Sequence, residues 1–239
     1  MKKIIMSFLV VVLFLGMTLS SPTFANVGVD KNAMMQKVSK LQMPFIENQG
    51  QIKDKSVRFY ANTFAGTVFV TEKGEIVYSL LRREDSGLEK DNNPELKNPK
   101  FDSKAVALRE SLEYPEEIKI EGINKSVTKV NYFIGDRANW RTNISTWQEV
   151  SLGEVYKGIK LTLRAYGKNV EKLFTVYPEG SVKDIRLKIE GAKGLRVNED
   201  GELEVETELG TVKYTKPVAY QEIEGKRVEV AVNYILPNY

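Results

Sequence analysis

Four carboxylates, Asp136, Glu149, Glu154 and Asp184, have the type and placement to support acid–base chemistry. Two facing carboxyls would make a glycoside hydrolase, one protonating the leaving oxygen and the other acting as base or nucleophile. Trp140 and Trp147 could supply an aromatic platform for sugar rings. A chain with 32 acidic residues also offers such pairs by chance. The stretch Asn198-Glu199-Asp200-Gly201-Glu202 loosely resembles a calcium loop. Calcium needs about six to eight oxygens from a longer pattern, so these residues read as a hairpin turn. Gly191-Ala192-Lys193-Gly194 has no helical pattern after it and reads as a turn between strands, not a phosphate cradle. The residues therefore assign no catalytic group, no metal and no cofactor. They leave one candidate binding loop, Asp136, Arg137, Trp140 and Arg141, with Trp147 beside it.

The chain contains no histidine and no cysteine. Zinc sites built on those residues are excluded, as are Cys–His and Ser–His–Asp catalysis and haem ligation through His or Cys. Disulfides are excluded too, so an exported form must be held by its core alone. The formal charge is +3, and without Lys2 and Lys3 it falls to +1, with 33 basic and 32 acidic residues. That balance gives no electrostatic reason to expect a nucleic-acid partner.

The elements that would position these residues are strands. Residues 57–62 alternate, residues 67–71 are β-branched and aromatic, and residues 75–81 return as a hairpin. Residues 83–100 are rich in charge, Asn and Pro and read as a long surface loop. Residues 130–134 form a strong strand, and the polar loop 135–145 holds Trp140. A long hairpin follows, from 159–166 and 170–176. Further strands are expected at 105–108, 118–121, 185–190, 202–207, 211–215, 218–223 and 227–234. Phe133, Phe174 and Tyr220 lie in alternating apolar segments and are expected in the core. Segments of this length separated by turns predict an all-β fold, an antiparallel sandwich or sandwich-like meander. The alternating strand 227–234 is expected to present an open edge that another strand could join.

The N-terminus differs in kind. Lys2-Lys3 precede the apolar run 4–19, and Thr23-Phe24-Ala25 follows as a small-x-small site. Residues 1–25 read as a signal peptide cleaved between Ala25 and Asn26, which leaves no membrane span. Residues 26–43 are expected to hold a short helix, with Met34, Met35, Val38 and Leu41 at helical spacing before Pro44. Residues 44–236 form a single β-rich domain. Within it, Pro44 to Gln51 suits a tight turn whose amides bond its own backbone.

An ordered set of short motifs runs through that domain. It comprises Phe45 with Glu47-Asn48-Gln49-Gly50-Gln51, then Val57-Arg58-Phe59 and Asn131-Tyr132-Phe133-Ile134-Gly135. Trp140-Arg141-Thr142, Tyr156-Lys157-Gly158-Ile159, Asp200-Gly201 and Lys216-Pro217-Val218-Ala219-Tyr220-Gln221-Glu222 complete it. In order and spacing the chain resembles the N-terminal domain of uncharacterised function in bacterial exported proteins that carry seven-bladed-propeller-type (SBBP) repeats downstream. The resemblance implies a β-rich, extracytoplasmic module, often in cell-surface or adhesion-like proteins, with no established catalytic residues. Lys160 and Leu173 stand where family members often carry acidic residues. The relatives also run on into further strands and repeats, whereas this sequence stops at Tyr239, as a stand-alone version or the product of an interrupted gene. The expectation is a secreted or cell-surface structural or interaction module without enzymatic activity, whose partners would be proteins or glycans at the cell surface. The alternative is a carbohydrate-binding or carbohydrate-cleaving extracellular protein.

Overall fold

A computed structural model describes residues 4–11, 40–83 and 103–237. Alternating sequence becomes strand throughout. The strands are β1 (Ile4–Val11), β2 (Gln42–Met43), β3 (Phe45–Glu47), β4 (Val57–Thr63), β5 (Gly66–Thr71) and β6 (Ile76–Arg83). They continue with β7 (Ser103–Leu112), β8 (Glu121–Tyr132), β9 (Arg141–Tyr156), β10 (Ile159–Tyr166) and β11 (Asn169–Val176). The last six are β12 (Leu187–Glu190), β13 (Gly194–Val197), β14 (Leu203–Thr207), β15 (Gly210–Tyr214), β16 (Val218–Ile223) and β17 (Lys226–Val230).

The described pairings are antiparallel and link the strands into one continuous sheet, whose two halves pack on a shared core as layers. One layer runs β12–β7–β6–β5–β4–β3–β9. The other runs β9–β10–β11–β1, and the far side of β1 pairs with β16 and, at Val10 and Val11, with β15. β14 and β13 extend from β15, and β17 extends from β16. The long strand β9 belongs to both layers, pairing with β3 at Thr146 and Trp147 and with β10 from Glu149 to Tyr156. β8 lies along β9 and is mostly exposed.

The inner faces meet in one apolar core. β10 sends in Ile159, Leu161, Leu163 and Ala165, and β11 sends in Val170, Phe174 and Val176. Tyr78, Leu80 and Leu108 come from the other layer. Burying one such aliphatic or Phe side chain contributes about 1.5–3 kcal/mol, and with no cysteine available this term must hold the layers together. The all-β sandwich-like architecture agrees with the alternation in the sequence.

Several details differ from the sequence expectation. The polar loop is shorter, because β9 already begins at Arg141. Phe133 lies beyond the end of β8 and is exposed, since the alternation that made it look internal has no layer packed over it there. Phe174 is in the core as expected, and Tyr220 is half-buried. Gly194 opens β13 and does not close a turn. The last strand stops at Val230, and Val232, Tyr234 and Leu236 pack against the core without a ladder, Tyr234 donating to the Thr215 carbonyl (2.9 Å). Packing onto an existing core preserves alternation even where no neighbouring strand pairs. Of the expected short helix, residues 26–39 lie outside the described residues, while Leu41 is exposed and Gln42–Met43 pairs with β10. The cleavage site at Ala25 and Asn26 and most of the 83–100 loop also lie outside them. Arg83 and Ser103, which flank that loop, pair directly. Among the described residues no helix is long and apolar enough to cross a membrane.

Candidate interaction site

Tyr132 at the end of β8 pairs with Arg141 at the start of β9, so residues 133–140 form the tip of a hairpin. Gly135 takes φ +65°, a conformation costly for side-chain-bearing residues. A single 3-10 turn, Arg137–Asn139, then brings the chain to Trp140. The indole N–H of Trp140 donates to the Gly135 carbonyl (3.2 Å). Its ring meets Phe133 edge to face, with centroids 5.0 Å apart and planes at 78°. The Arg137 guanidinium lies 5.7 Å from the Trp140 ring centre. Despite these contacts Phe133 is 59% exposed, Ile134 69% and Trp140 39%.

The turn after β3 braces this tip. Asn48 organises the turn: its side-chain amide donates to the carbonyls of Ile52, Asp54 and Val57, and its oxygen accepts from the N–H groups of Gly50 and Ile52. Gln51 donates to the Glu47 carbonyl (2.6 Å) and to the Tyr60 hydroxyl (3.3 Å). Tyr60 in turn donates to the Tyr132 hydroxyl (2.6 Å), next to Phe133. Burial first, then the Tyr132 hydroxyl, push the Tyr60 phenol well above its ordinary value. Arg141 ties turn to tip, donating to the Gln49 carbonyl (3.0 Å) and to the carbonyls of Ala138 (3.1 Å) and Trp140 (2.9 Å). Gly50, at φ +102°, leaves room for that guanidinium, because a Cβ would sit 3.3 Å from Arg141 Nε. Two stretches far apart in sequence, the turn around Gln49 and the hairpin tip 133–141, thus build one structure.

A second polar assembly is sealed in the core. Lys172 is 0% exposed and its Nζ donates to Glu110 Oε2 at 2.5 Å. The Tyr214 hydroxyl donates to Glu110 Oε1 at 2.5 Å, and Lys172 Nζ lies 4.6 Å from the Tyr214 ring centre. The Tyr78 hydroxyl is buried nearby without a hydrogen-bond partner of normal geometry. Desolvation lowers the Lys172 pKa against the opposing pull of Glu110. Burial, then the Glu110 charge, raises Tyr78 and Tyr214. An amine of lowered pKa beside a carboxylate is a reactive combination in an open cleft. Here the Lys172 amine is closed to solvent, and the cluster links β11 to β7 and β15 across the core. Sequence reasoning missed it, although Lys172 stands at an inward position between Val170 and Phe174, and that is the signal.

The family model described as "Domain of unknown function (DUF7948)" matches residues 45–239. The chain belongs to this family. No curated protein and no solved structure matches it. The matched span opens at Phe45, a fully buried core residue, and contains both the tip and the buried cluster.

Within the DUF7948 domain, the other candidate residues are dispersed. Asp136, Arg137, Trp140 and Arg141 share the tip. Trp147 does not: it lies seven residues along β9, roughly 23 Å for an extended strand. It packs against Gly122, where a Cβ would come within 2.3 Å of the ring, and Lys125 lies over it at 5.3 Å. The two tryptophans therefore make no common platform. Glu149 is bonded to Arg164 (3.0 Å), Glu154 accepts from the Gly158 N–H (2.8 Å), and Asp184 ends the 3-10 turn Val182–Asp184. The 198–202 stretch is a hairpin turn, closed by the Asn198 N–H on the Glu202 carbonyl (3.0 Å). Asn198 and Lys213 donate to both Glu202 and Glu204, and Arg196 pairs with Glu204. A groove of about 480 Å³ lies on the outer face of the β4–β7 layer and includes Asp54, Phe69, Glu75 and Arg109. Its carboxylates are engaged, Glu75 by Arg109 (3.2 Å) and Asp54 by Ser56, whose side chain and N–H hold the Asp54 pKa low. Neither tryptophan lines it.

Proposed function

We propose that this DUF7948 domain is an extracytoplasmic interaction module that binds a protein or glycan through the tip formed by residues 133–141. One observation carries the reading: Phe133, Ile134 and Trp140 stay in solvent on a frame whose polar groups are bonded internally. Exposed apolar groups on a braced frame lose little conformational entropy on binding, which favours recognition. The Lys2-Lys3 start, the apolar run and the Thr23-Phe24-Ala25 site support export, with Asn26 as the mature N-terminus. The likeness to N-terminal domains of exported bacterial proteins with SBBP repeats supports a place at the cell surface or in a secreted protein. The carboxylates considered for glycoside cleavage are spread over several elements, which favours binding over catalysis.

The test is retention on cell-envelope material of the producing bacterium. The wild-type protein is expected to bind saturably. Phe133→Ser/Ile134→Ser, which leaves the Trp140 bond to Gly135 in place, is expected to lose binding at an unchanged melting temperature. Equal retention of the two forms would remove the tip from the function, and release of soluble sugar from the envelope would overturn the non-catalytic reading.

A further inference from the structure

The second layer is completed by a strand that the matched family domain does not contain. β1 lies at residues 4–11, whereas the match begins at residue 45. Yet β1 sits inside the layer, with residues on both sides. Eight of its residues pair with β11, from Ile4 with Val176 to Val11 with Asn169. On the other side residues 4–7 pair with Gln221, Tyr220, Ala219 and Val218 of β16, and Val10 pairs with Tyr214 of β15. Strands in a sheet are about 4.8 Å apart, so without β1 its two neighbours face each other across a gap of roughly 10 Å. That gap would leave two rows of backbone donors and acceptors unpaired over an apolar floor, which is the template for an added strand. The core-facing residues along it are Val170, Lys172, Phe174 and Val176 on one side and Tyr214 and Ala219 on the other.

We propose that the gap between β11 and β15–β16 is a strand-acceptor site. Once residues 1–25 are removed, it takes an extended, uncharged segment of about eight residues from a different polypeptide, in the register β1 holds here. The removal rests on the export reading, but the slot itself rests on the pairing alone. The chemistry of the occupant follows from the slot. β1 reads Ile-Ile-Met-Ser-Phe-Leu-Val-Val, without a charge. Every second position of an occupant faces the core, because cross-strand partners share a face. Within residues 26–239 a second copy offers no free segment of this kind. Residues 26–41 and 84–102 contain no run of eight uncharged residues. The uncharged runs elsewhere in the domain are already laddered or, as with Val232, Tyr234 and Leu236, packed on the core.

The experiment uses the full chain with a protease site inserted at the 25/26 junction. After folding and cutting, the 1–25 fragment is expected to stay bound through gel filtration. A labelled peptide of residues 2–12 in excess is expected to replace it with one-to-one stoichiometry. Amide exchange at 169–176 and 218–221 should be slow in the filled protein and fast after the fragment is stripped. A peptide with Met6→Asp, opposite core-facing Phe174 and Ala219, should compete about a hundredfold less well, because it would bury an unpaired charge. A peptide with Ile5→Asp, opposite half-buried Thr175 and Tyr220, should compete far better than that. Loss of the fragment with both segments still protected would show that the layer closes by itself and would overturn the site. Equal competition by the two Asp peptides would overturn the register. Dimerisation of the stripped protein, reversed by the peptide, would overturn the assignment of the donor to a different chain. Phe133→Ser/Ile134→Ser should exchange peptide like wild type, so failure of the tip and failure of the slot read out separately.

Discussion

Lys172 and Arg137 each place a cation over an aromatic ring, the first 4.6 Å from the centre of Tyr214 and the second 5.7 Å from that of Trp140. The residue chemistry is the same, but the surroundings are opposite. Lys172 is shut in the core and must be matched by Glu110, because an unmatched buried charge is costly. Arg137 stands in water, where its contact with Trp140 is weak and can be given up to a ligand. The composition of a cluster therefore does not decide its role in this fold. Its depth does: the members of the buried set must satisfy one another, and the exposed set is free to engage something else.

The largest effect should come from breaking the buried set by one member. Lys172→Ala leaves Glu110 buried without its cation and is expected to cost roughly 3–5 kcal/mol, a large share of the ~5–15 kcal/mol that a domain has. Lys172→Met with Glu110→Leu and Tyr214→Phe removes both charges together with the hydroxyl that donates to Glu110, and is expected to be near neutral or stabilising. Urea denaturation of the three forms checks this. A midpoint for Lys172→Ala equal to that of wild type would mean that water reaches the cluster and that the contrast with Arg137 is false.

That contrast was only half legible in the sequence. Alternation located most strands, because each has one face in the core and the period of two survives any loop. It also placed Phe174 correctly. It misplaced Phe133, since period two says that a residue shares a face with its neighbours and nothing about whether a layer covers that face. Trp140 and Arg141 were legible as a loop pair, but their bond to Gln49 was not, because 92 residues separate Gln49 from Arg141 and no local pattern encodes the approach. Lys172 was legible as an anomaly on an inward row. Its partners Glu110 and Tyr214 come from strands that only the tertiary fold brings together.

A smaller effect separates the frame of the tip from the tip itself. Asn48 satisfies three carbonyls and two N–H groups in the turn. Asn48→Ala leaves part of that backbone without partners and should cost about 1–3 kcal/mol. It should also loosen Arg141, which reaches the neighbouring Gln49 carbonyl. Proteolysis at residues 133–140 should become faster in this variant. An unchanged cleavage rate would show that the tip holds its shape without the turn.

Acid should act on a third place, the 198–204 hairpin. Hydrogen bonds from Asn198 and Lys213 hold the Glu202 carboxyl below the ordinary value of 4.5. Burial is the largest single influence on Glu204 and acts upward, but Asn198, Lys213 and Arg196 together still lower its pKa. Both groups have folded pKa values below their unfolded ones, so their contribution is complete above pH ~4.5 and fades as pH falls through the lowered values. Glu202→Gln/Glu204→Gln should therefore be less stable than wild type at pH 6, with the gap narrowing as pH falls below about 4.5. The pairs are exposed on the cation side and the gap should be modest. A gap that widened toward pH 3 would reverse the sign and sink this account.

The smallest expected effect is the most informative about the tip. Phe133 and Phe174 are the same residue type, both placed by alternation on an apolar face, and both looked internal. Phe174 is fully buried, and Phe174→Ala should cost roughly 3–5 kcal/mol through lost burial and the cavity it leaves. Phe133 is more than half in solvent and touches Trp140 by one edge. Phe133→Ser removes that edge contact and fills no space with a void, so the change in stability should stay within about 0.5 kcal/mol. The hydroxyl is also more soluble than the ring it replaces, so the variant should express at least as well as wild type. Thermal melts of the two Phe variants side by side give the measurement. If Phe133→Ser melts as low as Phe174→Ala, the tip is part of the core, and its aromatic surface is not available to a partner. If it melts with wild type while envelope binding is lost, the exposed ring is kept for recognition, since it contributes nothing to folding that would otherwise account for it.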